Sequence, residues 1–433
     1  MGESQTRANS HTWLGLMRLP TFMVFWSGRV VSLLGDMLFS MATMWYVLGK
    51  TRSALDTAVV VLIPMLTQLF VSQAFATMAD RLPKKAAMVS SDVFRGIVVL
   101  TVGTLMAFDH AGTFGIYAAS FLLTMAAYLF GPAQNAVLPK ILPDPERQLT
   151  SANSLLSATS NIINLTGYAL GGMLVAVLHP VNAVLLDGVS FLLSALSIAM
   201  LRVPTIRSKG QRGASGFLRD SLAGIRFIWQ RPSLRTFGLY VAILNFVAGP
   251  VSILTIVFSR VVLHAGLRGY GFLEASWAVG GVVGAIVASR LSQRFHMWQL
   301  LLFALAGSGL ALVSLPVFAN LTESILALVF ASVVITLMNI PLFTALQLLA
   351  PDEIRGRVMA AFGLFAGVGN PLGLFVGSWL MDRIPPSGIY LASGILLVLC
   401  GVVGVCFPAI RQGEDQFGRR LKESPDIAET PEL

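Results

Sequence analysis

Hydrophobic residues fall in runs of about twenty from one end of the chain to the other, with short polar breaks between them. About 20 apolar residues in a helix rising 1.5 Å per residue cross the hydrocarbon core of a bilayer. The pattern predicts twelve spans, at roughly 20–48, 57–78, 87–107, 114–137, 153–178, 181–201, 235–259, 270–289, 297–319, 323–345, 358–381 and 388–408. The expected fold is therefore an all-α membrane protein with 12 transmembrane helices. The one long charged interruption splits them six and six: a bundle in 1–201, a cytoplasmic linker in 202–234, a second bundle in 235–408, and a tail in 409–433. Within the linker, Phe217, Leu218, Leu222, Ile225 and Trp229 recur at helical spacing, which predicts a helix lying on the membrane surface.

Inside the spans the polar residues are periodic. In the first, Arg29, Ser32, Asp36, Ser40 and Thr43 step by 3, 4, 4 and 3, one stripe along a helix. The fourth carries Tyr117, Ser120, Thr124 and Tyr128, and the fifth Asn153, Ser157, Asn161, Asn164 and Tyr168. In the seventh, Asn245, Gly249, Ser252 and Ser259 share a face beside Pro250. The tenth has Ser332, Thr336, Asn339, Phe343 and Gln347. Lipid penalises such stripes, so they are expected to face protein or water. The competing account is that the hydroxyls bond to their own helix or to a neighbouring one. Arg29 and Asp36 share a face but stand about 10 Å apart along the axis, so each needs a partner elsewhere. A charge at this depth costs about 2.5–3.5 kcal/mol. Asp36 is the candidate for proton coupling, because changing exposure would change its proton occupancy; a permanently paired structural carboxylate is the alternative. Glu274 is a second such candidate, and Asp187 is read as structural.

Composition agrees. Hydrophobic residues make up 55% of the 433 and charged residues 12%, about half the usual charged share of a soluble domain. The net charge of +9 is a topology signal rather than a sign of nucleic-acid binding. The N-terminus, alternate loops and the tail hold 23 of the 30 Lys and Arg, counting Arg235 at the linker's edge. Positive charge gathers on the cytoplasmic side, so both termini are expected inside a plasma (inner) membrane. The first twenty residues lack a signal-peptide core. Cys400 and Cys406 share one segment and suggest no disulfide framework, and the five histidines show no metal-ligand spacing. "LGKT" (48–51) lacks the leading glycine of a phosphate-binding loop, since Met44 stands there. Neither a nucleophile triad nor a cofactor motif is present, so no enzyme and no cofactor are expected.

The halves repeat at an offset of about 208 residues: "LPDPERQLTSANSL" (142–155) with "APDEIRGRVMAAFGL" (350–364), and "MADRLPKK" (78–85) with "ASRLSQRF" (288–295). "ADRLPKK" resembles the signature loop of the major facilitator superfamily. "FMVFWSGRVVSLLGDML", "LTSANSL", "SLAGIRFIWQRPSLR" and "IRGRVMA" are similar to its bacterial drug-exporter branch, typified by macrolide-efflux pumps. The resemblance runs from about 13 to 408. It implies two six-helix pseudo-repeats rocking about a cavity lined by helices 1, 4, 7 and 10. It departs from pattern in several places, among them Ala76 and Pro83, which stand where the superfamily prefers glycine. Arg29 replaces a usual glutamine, Tyr168 replaces the proline of an antiporter motif in "GYALGG" (167–172), and the gate loop's second copy has Ser289 for its acid. The cytoplasmic gate is read as Asp80, Arg81, Lys84 and Lys85, joined by Asp92 and Arg95, with the bases pairing to acids or lipid phosphates.

These readings converge on a secondary active transporter that exports small amphipathic, drug-like molecules by alternating access, with protons as counter-ion. It is expected to act as a monomer in a lipid bilayer. Arg29 motivates an alternative, export of siderophore-like or other anionic metabolites or lysolipid flipping. A membrane sensor that binds ligand without transporting it is the alternative from another class.

Overall fold

The computed structural model describes residues 13–79, 82–203, 229, 232–291, 295, 297–349 and 355–405. A single turn at Trp13–Leu16 precedes thirteen longer helices among the described residues. They are α1 Pro20–Thr51, α2 Ala54–Ala79, α3 Lys84–Ala107, α4 Thr113–Ile141, α5 Pro145–Leu178, α6 Pro180–Met200, α7 Pro232–Ala248, α8 Val251–Val261, α9 Gly266–Leu291, α10 Met297–Phe318, α11 Leu321–Leu349, α12 Arg355–Met381 and α13 Pro386–Val405. Five begin on proline, whose fixed φ suits a first helical residue and whose missing N–H costs nothing there. By length and composition eight spans qualify to cross a membrane among the described residues, one of them running through α7 and α8.

The chain divides into two compact units, Met1–Ala214 and Ser215–Leu433. In the first, α1 packs on α5 and α6, α3 on α4 and α6, and α2 on α4. The second repeats four of these five pairings: α7 on α12, α10 on α11 and α13, and α9 on α11, while the counterpart of the α1–α6 seam is slight. A duplicated unit packs itself in a similar way twice, so the repeat that the loop motifs flagged extends to most of the helix pairs.

One predicted span differs. The run 235–259 forms two helices, α7 and α8, broken at Gly249–Pro250. Proline lacks the N–H for the next rung of the ladder. A side chain on Gly249 would overlap Asn370 O and press on Leu374 N of α12, so glycine lets the two backbones meet. The predicted linker helix lies outside the described residues apart from Trp229, as do Asp80 and Arg81.

Candidate functional site

In the N-terminal unit α1, α3 and α6 converge on a cluster of charge. Arg95 Nη2 donates to Asp36 Oδ1 at 2.8 Å, joining α3 to α1. Its Nη1 lies 3.7 Å from Asp92 Oδ1, one turn back on α3. The guanidinium stacks on Phe191 of α6, with Cζ 4.0 Å from the ring centroid. Ser194 of α6 donates to Asp92 Oδ2 at 2.6 Å. Arg95 is thus gripped from three helices and only 7% exposed, whereas the Asp36 side chain is 36% exposed. Asp36 is the member of the cluster that the surroundings reach.

Asp187 completes the group from α6. It is fully buried, Ser190 donates to its Oδ1 at 3.2 Å, and its Oδ2 has no hydrogen-bond partner among the described residues. Gly35, next to Asp36, makes this possible, because a Cβ there would overlap Asp187 Oδ1 and Ser190 Oγ. Sequence reasoning missed α6. Asp187, Ser190, Ser194 and Ser197 step by 3, 4 and 3, the same stripe signature used elsewhere, but on a helix expected at the periphery.

Other predicted residues have local partners. Thr43 donates to Phe39 O at 2.6 Å, Ser120 to Ile116 O at 3.0 Å, and Thr124 to Ser120 O at 2.7 Å, each within its own helix. Tyr117 donates to Asp56 O at 2.9 Å and ties α4 to the start of α2. Asn245 donates to Val241 O at 2.8 Å. Ser332 donates to Trp277 O at 2.6 Å, and Thr336 packs beside Gly284, so this part of the tenth-span stripe forms the α9–α11 seam. For these residues the helix-bonding account describes what is seen.

Ser32 is buried and its Oγ has no hydrogen-bond partner among the described residues, while Ser40, Tyr128 and Asn339 are half-buried. Asn161 and Asn164 are exposed on α5, an amide-bearing face open to water or protein. Arg29 lies with Cζ 5.1 Å from the Phe130 ring and has no carboxylate in ion-pair range among the described residues. The side chains of Tyr168, Phe343 and Gln347 lie outside the described residues.

The expected gate divides. Lys85 donates to Ala199 O at 2.7 Å and Leu201 O at 2.6 Å, satisfying carbonyls left open at the end of α6. Lys84 is buried. Asp92 and Arg95 belong to the cluster with Asp36.

In the C-terminal unit the break at Pro250 borders a cavity of about 240 Å³. Leu244, Val247 and Ala248 of α7 and Val251 and Ser252 of α8 line one side, with Glu274 and Trp277 of α9 and residues of α10, α11 and α13 completing it. Glu274 makes no hydrogen bond or ion pair among the described residues.

The family model for the Major Facilitator Superfamily matches residues 25–370. The multidrug efflux pump Tap of Mycolicibacterium fortuitum is 26% identical over 390 residues, covering 87% of this chain and 93% of that protein. Macrolide efflux protein A of Streptococcus pyogenes is 22% identical over 396 residues, covering 90% and 96%. Among solved structures, a bacterial homologue of the iron transporter ferroportin in an inward-facing state superposes with a TM-score of 0.65 at 15% identity, covering 89% of this chain and 99% of that one. A POT family transporter in complex with 5-aminolevulinic acid gives 0.64 at 10% identity, covering 91% and 96%. The chain that carries this cluster and cavity is a multi-pass membrane transporter and belongs to the major facilitator superfamily.

Proposed function

We propose that the protein exports small amphipathic, drug-like molecules by alternating access, driven by proton entry, with Asp36 as the coupling carboxylate. In this reading twelve spans form two six-helix bundles, both termini are cytoplasmic, and one chain suffices. Both curated relatives carry efflux in their names, which supports the direction of transport.

The observation that carries the coupling role is the asymmetry of the Asp36–Arg95 pair. A half-exposed acid holds a buried base that already lies 3.7 Å from a second acid, Asp92. An ionised Asp36 keeps α1 tied to α3 through a charge-assisted hydrogen bond. A proton on Asp36 removes its charge, and the guanidinium turns to Asp92 without leaving the Phe191 ring. α1 is then released from α3, a two-state element that proton occupancy biases.

The test is Asp36→Asn in proteoliposomes with an imposed pH gradient. The amide keeps an acceptor for Arg95, so the protein folds, but it cannot take up a proton. Uphill transport is expected to fall to the level of empty vesicles while substrate exchange without a gradient continues. Uphill transport retained by the variant rejects the coupling role.

Arg29 favours a second reading of the substrate. A guanidinium without a carboxylate partner among the described residues suits a carboxylate or phosphate group on the cargo. Efflux of matched cationic and anionic dyes, compared in wild type and Arg29→Gln, separates the readings: an anionic cargo loses efflux in the variant and a cationic one does not.

A further inference from the structure

We propose that the cavity around Glu274 is a binding site for a small lipophilic ammonium group, held entirely within the C-terminal unit. Glu274 is the only ionisable residue among the described residues lining it, and no basic side chain is among them. Within a membrane span an acid with no protein partner is costly, and a cationic ligand supplies the missing charge. Trp277 lies three residues on, on the same face of α9, and also lines the cavity. An indole beside a carboxylate is the pairing that favours an ammonium carrying an apolar body.

The polar groups nearby restrict the ligand further. Ser308 spends its hydroxyl on Ala304 O and Leu305 O of its own helix, and Ser332 fixes the backbone of Trp277. Ser252 is thus the lining hydroxyl for which no protein hydrogen bond is found among the described residues. The remaining wall is Leu, Val, Ala and Ile. A cavity of about 240 Å³ is smaller than the ~300–1,000 Å³ of ordinary drug pockets, so the site selects a compact amine rather than a whole macrolide. Recognition comes from one carboxylate, one aromatic ring and apolar contact, and among the described lining residues no cationic group balances an anion. This site does not depend on the coupling role of Asp36, since binding requires no gradient.

The experiment uses the full chain in lipid nanodiscs with two probes of matched size, benzyltrimethylammonium and benzenesulfonate. Neither probe titrates near neutral pH, so any proton released on binding comes from the protein, and repeating the titration in buffers of different ionisation enthalpy separates its heat. In titration calorimetry the ammonium is expected to bind wild type and Asp36→Asn equally. It binds Glu274→Gln at least tenfold more weakly and Trp277→Leu severalfold more weakly. The sulfonate does not bind at this site. Carbodiimide labelling of wild type, read by mass spectrometry, keeps the proposal testable if Glu274→Gln does not fold: the ammonium protects Glu274 and leaves the labelling of Asp36 unchanged. Equal affinity in wild type and Glu274→Gln overturns the proposal, as does equal protection by both probes. Loss of binding in Asp36→Asn with Glu274→Gln unaffected would move the cation to the N-terminal cluster and also overturn it. Gradient-driven transport retained by Asp36→Asn, with ammonium binding intact, would reject the coupling role and still support this site.

Discussion

The two units share a helix-pairing scheme and differ in where they place charge. In the N-terminal unit Asp36, Asp92, Asp187 and Arg95 gather on α1, α3 and α6. At the 208-residue offset, Leu244, Leu300 and Phe303 stand where Asp36, Asp92 and Arg95 stand. Conversely, Glu274 falls opposite Leu66, an apolar residue on α2. Most of the packing of the repeat has been kept, the α1–α6 seam apart, while its electrostatics have diverged. On the proposed function, helices tied by a buried base and a half-exposed acid can be untied by a proton; helices packed on leucine and phenylalanine cannot. The first unit therefore suits a switch, and the second has room for a single acid to meet a ligand.

The largest effect that tests this contrast is at Arg95. Arg95→Met leaves Asp36 and Asp92 without their base, and breaking a buried pair in this way costs about 3–5 kcal/mol. The matched change, Phe303→Met, replaces a half-exposed apolar side chain by one of similar bulk and costs less than about 1.5 kcal/mol. Thermal unfolding of both variants in the same detergent measures the difference. Equal losses would break the distinction between the units. Arg95→Lys keeps the charge but loses the planar fork and the stacking on Phe191, and is expected to fall between wild type and Arg95→Met.

Close packing gives a second, smaller comparison. Gly35→Ala drives a methyl into Asp187 Oδ1 and Ser190 Oγ, while Gly284→Ala meets Val333 O at 2.8 Å and Thr336 Cβ at 2.7 Å. Each overpacks a helix seam at about 1–3 kcal/mol. The obstacles differ in kind. At Gly35 they are side-chain oxygens, so adding Ser190→Ala to Gly35→Ala makes room for Asp187 to turn and recovers part of the loss. At Gly284 one obstacle is a backbone carbonyl, so Thr336→Ser recovers nothing. Thermal stability of the two pairs of variants distinguishes them, and equal rescue would show that the seams respond alike.

The sequence disclosed the helices, the repeat and the family because these rest on long signals: apolar runs, paired loop motifs and the bias of positive charge. It also marked Asp36 and required a distant partner for it, by the distance to Arg29 alone. It did not identify that partner as Arg95, which it had placed with the gate loop, because which faces of α1 and α3 meet is decided by packing. Gly35 and Phe191 were silent for the same reason. A glycine is seen to matter only once the carboxylate beneath it is located. Tyr117, Ser120 and Thr124 of the fourth span and Ser332 of the tenth bond to helix backbones. Periodicity places a hydroxyl on a face but does not distinguish a face turned to water from one bonded to its own helix. The break at Pro250 was readable as a proline within a polar stripe, but the cavity beside it depends on six helices at once.

The smallest effect is at the turns that close the first and eleventh spans. After the first, Lys50 Nζ lies 3.2 Å from Asp109 Oδ1 and 3.0 Å from Ala111 O, and Tyr46 donates to the same carboxylate at 3.3 Å. After α12, Arg383 stacks on Trp379 at 3.8 Å and donates to Trp379 O, a cation held without an acid among the described residues. The Lys50 hydrogen bond holds the Asp109 carboxyl below its ordinary 3.8. An acid lowered in this way stabilises the fold above its unfolded value and loses that contribution as pH falls through the folded one. The latch is therefore intact above about pH 4, and its contribution fades in acid. Both groups are solvent-exposed, so the effect is small and screened by salt. Lys50→Met is expected to lower the melting temperature slightly at neutral pH and low salt, by less than any change above, with the deficit shrinking as pH is taken below 3.8. Arg383→Met is expected to show a deficit that does not depend on pH in this range, because no described carboxylate takes part. A Lys50→Met deficit that stays constant into acid would show that the contact acts through its carbonyl and tyrosine alone, and the two turns would then differ in geometry rather than in charge.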